Sequence, residues 1–157
     1  MNKDNIAKIV ASAINEVLSS KMNLQKAKIL MEAVEKKAAQ MGVNAVIAVS
    51  DESGNVIAVQ SMDGAYIASY DIAVNKAFTC AALKMHTKTL KPLAQPGQSL
   101  YGIQFTNNGR IVIFGGGAVL KNGETVIGAL GVSGGTEEQD TALADFGEKF
   151  FLEEILK

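Results

Sequence analysis

Only a few side chains in this sequence combine a reactive type with a telling position. His86 is the sole histidine among 157 residues, and imidazole is a common metal ligand. A lone histidine argues against a dedicated zinc site, which needs three or four converging ligands. Cys80 and Met85 are alternative soft ligands, but both lie in an apolar helical stretch where core packing is the better explanation for each. Asp63, in a turn, and Lys76, within an otherwise apolar helix, form the most promising polar pair. A charge in such a setting is costly unless paired. The pair reads either as a salt bridge fixing the turn or as Lys76 holding a ligand carboxylate. Glu138 and Asp140 can be read as paired carboxylates, or, with Glu137, as acids compensating a helix dipole. Gly115, Gly116, Gly117, Gly131, Gly134 and Gly135 can expose backbone amides to an anion, or permit close packing. Tyr101, between Gly97 and Gly102, is either a pocket wall or a loop anchor. No Ser/His/Asp order and no phosphate-loop lysine motif is present.

The elements that must position these residues follow from periodicity and punctuation. Ile6, Ile9, Val10, Ala13, Ile14, Val17 and Leu18 recur at helical spacing. Asn23 can cap a second helix with a stripe of Leu24, Ala27, Met31, Val34 and Ala38, ended by Gly42. These two are expected to form an N-terminal helical pair. Residues 43–49 read as a buried strand, 51–55 as a turn, and 56–61 as a returning strand of an antiparallel hairpin. After the break at Met62-Asp63-Gly64-Ala65, a mostly buried helix is predicted over about 68–84. Residues 85–91 extend it by a short turn, and Pro92 and Pro96 impose irregular backbone to about Asn108. Residues 111–114 read as a third strand, 118–120 as the start of a fourth, and 125–132 as a fifth. Lys121-Asn122-Gly123-Glu124 is the strongest hairpin signal. Thr136 with Gln139 makes a capping box for a last helix with core residues Leu143, Phe146 and Phe150. The expected order is ααββαβββα, an α/β protein of the α+β type, with a central antiparallel five-stranded sheet flanked by helices in a single domain, 1–157.

Composition bounds the function. Apolar residues make up 48% and charged residues 20%, with a net charge of −1. That balance suits a globular domain and gives no basic surplus for nucleic acid or a membrane surface. One cysteine excludes an intrachain disulfide framework. The start, Met1-Asn2-Lys3-Asp4-Asn5, leads into a run broken by Lys8, Asn15 and Glu16, unlike a signal peptide. No apolar stretch reaches transmembrane length. The expected location is the cytoplasm.

Three segments, in this order and spacing, resemble the GlcG/HbpS-like family: Ser61-Met62-Asp63-Gly64-Ala65, then Asp71 to Thr79 (DIAVNKAFT), then Gly128 to Asp140 (GALGVSGGTEEQD). The same domain is found at the C-terminus of PduO-type corrinoid adenosyltransferases. The resemblance covers nearly the whole chain, and the last segment is its most specific part. It implies a profilin-like fold, homo-oligomers and heme binding, and some members are linked to glycolate or diol utilisation. Ser61 stands where the family often has Arg, and no proline follows Gly115-Gly116-Gly117 as it often does in the family.

The resulting expectation is a binding module for heme or a related tetrapyrrole, acting as an oligomeric accessory or sensor protein. Its contacts are expected at Asp63, Lys76, His86, Tyr101, Gly116 and Gly117. His86 would ligate the iron, Lys76 a propionate, and Tyr101 would line the pocket. Two other readings stand beside it. One is an enzyme acting on a small hydroxy or carboxylic acid, or on heme, through Asp63 and Lys76. The other is an assembly protein supporting a neighbouring metabolic enzyme.

Overall fold

The computed structural model describes residues 2–157. The first residue and the side chains of Leu18 and Ser19 lie outside that description. The elements are α1 (Lys3–Ser20), α2 (Leu24–Gln40), β1 (Val46–Asp51), β2 (Val56–Ser61), α3 (Ile67–Leu83), α4 (Thr87–Leu93), β3 (Gly117–Asn122), β4 (Thr125–Ser133) and α5 (Glu137–Phe150). Two short 3-10 turns, Ile103–Phe105 and Asn107–Gly109, lie in the connection from α4 to β3, and a π-helical turn, Phe151–Ile155, extends α5.

The strands form one antiparallel sheet in the order β2-β1-β4-β3. Both faces are covered, which is why β1 is almost continuously apolar. Alternation along β1 sends Ile47 and Val49 to one face and Val46 and Ala48 to the other. The first face is built of large residues: Leu120, Leu130 and Val132 meet Leu30, Met31 and Val34 of α2 and Leu143 of α5. The second face is built of small ones. Ala48, Ala129 and Val119 meet Ala73, Ala77 and Ala81 of α3. Small residues on both sides let α3 approach the sheet at backbone distance. A Cβ added at Gly131 would stand 1.9 Å from the Ala73 carbonyl oxygen, so only glycine fits there.

The local signals act where expected. Asn23 Oδ1 accepts the Lys26 N–H at 2.9 Å and caps α2. Thr136 and Gln139 close a reciprocal capping box on α5. The Lys121–Glu124 segment turns β3 into β4.

The structure corrects three expectations. The sheet has four strands and not five, because residues 111–114 pair with no strand. Their backbone is held by α3 instead: the Val112 N–H donates to Thr79 Oγ1 at 2.9 Å, and Ile111 is buried. A β-branched apolar run becomes a strand only when a ladder is offered to it, and here a helix supplies the donor's partner. Second, the chain turns left-handed at Lys84 (φ 54°) and restarts as the separate helix α4, with Pro92 inside it. Third, the N-terminal helical pair does not form. The buried face of α2 is spent on the sheet and α5, and every described side chain of α1 from Lys3 to Val17 is exposed.

Candidate functional site

The break between β2 and α3 decides where a cleft opens. Met62-Asp63-Gly64-Ala65 stops the strand, and Tyr66 takes the N-cap position of α3 without a capping hydrogen bond. An aromatic is a poor cap, and its ring projects into solvent, 73% exposed. Facing it is the end of β4, where Ser133-Gly134-Gly135 leads into α5. Two adjoining hollows share Tyr66, Gly134 and Gly135. One, of about 280 Å³, is walled by Tyr66, Ile72 and Phe114 and floored by Ser133, Glu137 and Asp140. The other, of about 420 Å³, is more polar and reaches Asn44, Thr136 and Gln139. Ser69 Oγ and Ser133 Oγ, 3.1 Å apart, tie α3 to β4 at the first of these.

Beneath the cleft lies a buried ion pair. Lys76 Nζ donates to Asp140 Oδ2 at 3.0 Å and to the Val132 carbonyl at 2.8 Å, and sits 5.0 Å from the centre of the Phe114 ring. Lys76 is fully buried and Asp140 nearly so. The other carboxylate oxygen of Asp140, Oδ1, accepts the Gly135 N–H at 2.9 Å. Burial lowers the lysine pKa, opposed by the charges of Asp140 and Glu137. The pair therefore anchors α3, β4 and the first turn of α5 at one point. Glu137 adds a clamp. Its Oε1 accepts the Gly115 N–H, and its Oε2 pairs with Lys91 of α4. Those two partners, Lys91 first, hold its carboxyl below the usual range.

The structure gathers few of the expected residues at this cleft. Lys76 is there, but its partner is Asp140 and not Asp63, which lies exposed in the turn after β2. The acid–base pair Asp63–Lys76 is thus not assembled. Asp140, read at first as a dipole acid, is the carboxylate that matters. Gly116 and Gly117 are buried in packing: an added Cβ would meet Lys76 Nζ at 2.5 Å and Cys80 Sγ at 2.7 Å respectively. His86 precedes the first turn of α4 without capping it through its side chain, and it lines neither hollow. Its Nδ1 accepts the Val119 N–H at 3.2 Å, and its Nε2 faces Glu148 Oε1 at 3.6 Å. Glu148 lies eight residues beyond Asp140 on α5, about 12 Å along the axis. Tyr101 stands exposed in the connection from α4 to β3. Cys80 is fully buried, which pushes its thiol up to about 12. Sequence reasoning passed over Tyr66, Ile72 and Phe114. The available signal was the aromatic at the N-cap of α3, where a Ser or Asp is usual.

Among the described residues no group of three His, Cys, Asp or Glu side chains is placed to hold a metal ion. No helix among them is long and apolar enough to cross a membrane.

The family model described as haem degrading protein HbpS-like matches residues 22–148. The chain belongs to the HbpS-like family. A 15.0 kDa protein encoded in the dhaT-dhaS intergenic region of Citrobacter freundii is 50% identical over 125 residues, covering 79% of this chain and 87% of that protein. The corrinoid adenosyltransferase PduO of the same organism is 35% identical over 140 residues, which are 89% of this chain but only 42% of PduO. Among solved structures, Klebsiella pneumoniae ORFY superposes with a TM-score of 0.82 at 47% identity, covering 84% of this chain and 91% of ORFY. The PduOC:heme complex superposes with a TM-score of 0.79 at 33% identity, covering 82% of this chain and 94% of PduOC.

A heme can be tested against the cleft of this HbpS-like chain directly. The wall of Tyr66, Ile72 and Phe114 is aromatic and aliphatic, the chemistry that packs against a flat apolar ring system. Tyr66 is the donor on that wall whose side-chain type, a phenol, is known to ligate heme iron. Lys76 is fully buried and already donates to Asp140 and the Val132 carbonyl, which leaves it poorly placed to hold a propionate.

Proposed function

We propose that this HbpS-like chain is a binding module for heme or a related tetrapyrrole, and that the ligand's apolar body rests in the Tyr66–Ile72–Phe114 cleft. The observation that carries the reading is kinship at 33% identity, over 94% of its length, with a relative described as a heme complex. The aromatic and aliphatic wall of the cleft supports it. When bound, the group supplies redox or ligand-sensing chemistry at its iron, and the protein's part is to seat it. Phe114 and Ile72 exclude water from one porphyrin face. The Lys76–Asp140 pair keeps α3 and α5 at a fixed spacing. The module acts as a homo-oligomeric accessory or sensor protein in the cytoplasm, in the setting of glycolate or diol utilisation.

Titration of the purified protein with hemin tests the reading. A saturable Soret shift is expected, weakened at least tenfold in apparent affinity by Ile72→Glu, while His86→Ala leaves the spectrum and affinity unchanged. Absence of any saturable shift in the unaltered protein overturns heme binding. A shift lost with His86→Ala would move the site away from this cleft.

A further inference from the structure

Among the described residues, the apolar face of α1 has no neighbour packed on it. Ile6, Ile9, Val10, Ile14 and Val17 are 44–57% exposed, and α1 lies outside residues 22–148, the stretch that matches the family model. A contiguous apolar face of this kind marks an interaction surface.

The pattern on that face says what it fits. Ile6, Val10, Ala13 and Val17 are spaced by four, three and four residues, the seam of a coiled coil. Val10, Ala13, Ile14 and Val17 enclose a hollow of about 330 Å³. Those are positions i, i+3, i+4 and i+7, the four residues that form the hole receiving a side chain from a facing helix in coiled-coil packing. Ala13 is its floor, and the β-branched side chains beside it are both rim and knob. The face is therefore complementary to itself. Its charges do not oppose self-pairing, because Lys3 and Lys8 balance Asp4 and Glu16. The same neutrality removes the basic face that a helix needs to lie on an anionic lipid surface. The other prominent hollows of the molecule each include polar or charged side chains in their lining, so none is apolar throughout as this one is.

We infer that α1 is a self-association element, which pairs with the α1 of a second copy of this chain through the Val10–Ala13–Ile14–Val17 hole. The contact is isologous, the same patch serving both partners.

Light scattering on the full chain across a concentration series tests this, comparing the unaltered protein with Ile14→Glu. The particle mass is expected to fall at least twofold in the variant. A second measurement does not depend on the charged substitution. Ala13→Cys, treated with a short bis-maleimide, is expected to give a covalent dimer, while Lys8→Cys, on the polar face, gives little. The native thiol of Cys80 is buried and stays silent. An unaltered chain that is monomeric throughout, an unchanged mass in Ile14→Glu, or equal linking at positions 8 and 13 each overturns the proposal. An unchanged mass is also the outcome expected if α1 instead docks on a different protein.

Discussion

Helices α1 and α3 carry similar numbers of aliphatic residues and meet opposite fates. The stripe of α1 is sharply one-sided, yet its face lies in solvent. The apolar residues of α3 surround the helix, with no clean stripe, and it is the element packed most closely on the sheet. The difference is a matter of supply. A helix with apolar residues on most sides finds cover wherever a face is offered, and α3 finds a sheet face of Ala and Gly that admits its inner side, while Ile67 and Tyr70 stay exposed. A one-sided helix needs a single partner face. The two apolar faces of the sheet are already taken, by α2 and α5 on one side and α3 on the other. Periodicity thus declares that a face needs cover without saying that the same chain provides it.

The comparison can be broken at several points. The largest effect is expected inside α3's contact. Asp140→Ala leaves Lys76 as a buried, unpaired cation, and such a loss costs about 3–5 kcal/mol. Urea denaturation reads it, and Lys76→Met combined with Asp140→Leu should recover most of the loss. A cost below about 1 kcal/mol would mean that the pair does not anchor α3. Gly131→Ala should come next, at about 1–3 kcal/mol or more for overpacking against rigid backbone. Thermal melts check that, and an unchanged melting temperature would show that α3 stands further from β4 than described. Ile14→Ala on α1 should change the stability of the dilute, dissociated chain by no more than about 0.5 kcal/mol, the range of an exposed site. A loss of core size there would show that α1 packs on its own body after all.

A comparably small effect concerns pH. Lys91 and the Gly115 amide hold the Glu137 carboxyl below its ordinary value of 4.5. A depressed carboxyl contributes stability that is complete above the unfolded value and is lost as pH falls through the folded one. Acid titration of stability should therefore show a loss beginning below about pH 4.5. Lys91→Met should shrink it, so that the two proteins differ by about 0.2–1 kcal/mol at neutral pH and converge in acid. Parallel curves for the two would remove Lys91 as the cause.

Much of this fold is written in short-range signals. Asn23, Gly123 and the Thr136–Gln139 box act within four residues of themselves, so the helix starts and the hairpin are legible without a partner. The reading of β1 as a buried strand holds for the same reason: a short β-branched run with no polar side is covered on both faces. Residues 111–114 carry an equally good strand pattern and still form none, because a ladder needs a neighbour, and Thr79 of α3 reaches the Val112 amide instead.

The candidate site was less legible. Lys76 could be singled out because a cation in an apolar helix must be paired, yet its partner could not be named. Asp63, 13 residues away, was the nearer choice, and Asp140, 64 residues away, is the real one. Residue types and their spacing are enough to show that Lys76 needs an anion, that α1 carries a one-sided apolar stripe, and which family shares this chain's Gly128–Asp140 segment. Those are properties of composition and local spacing. Long-range packing settles which carboxylate answers Lys76, that His86 lies away from the cleft, and that Tyr66, Ile72 and Phe114 come together. Each of those depends on how α3 and α5 approach across β4, a packing outcome fixed by glycines and alanines whose side chains do no chemistry of their own.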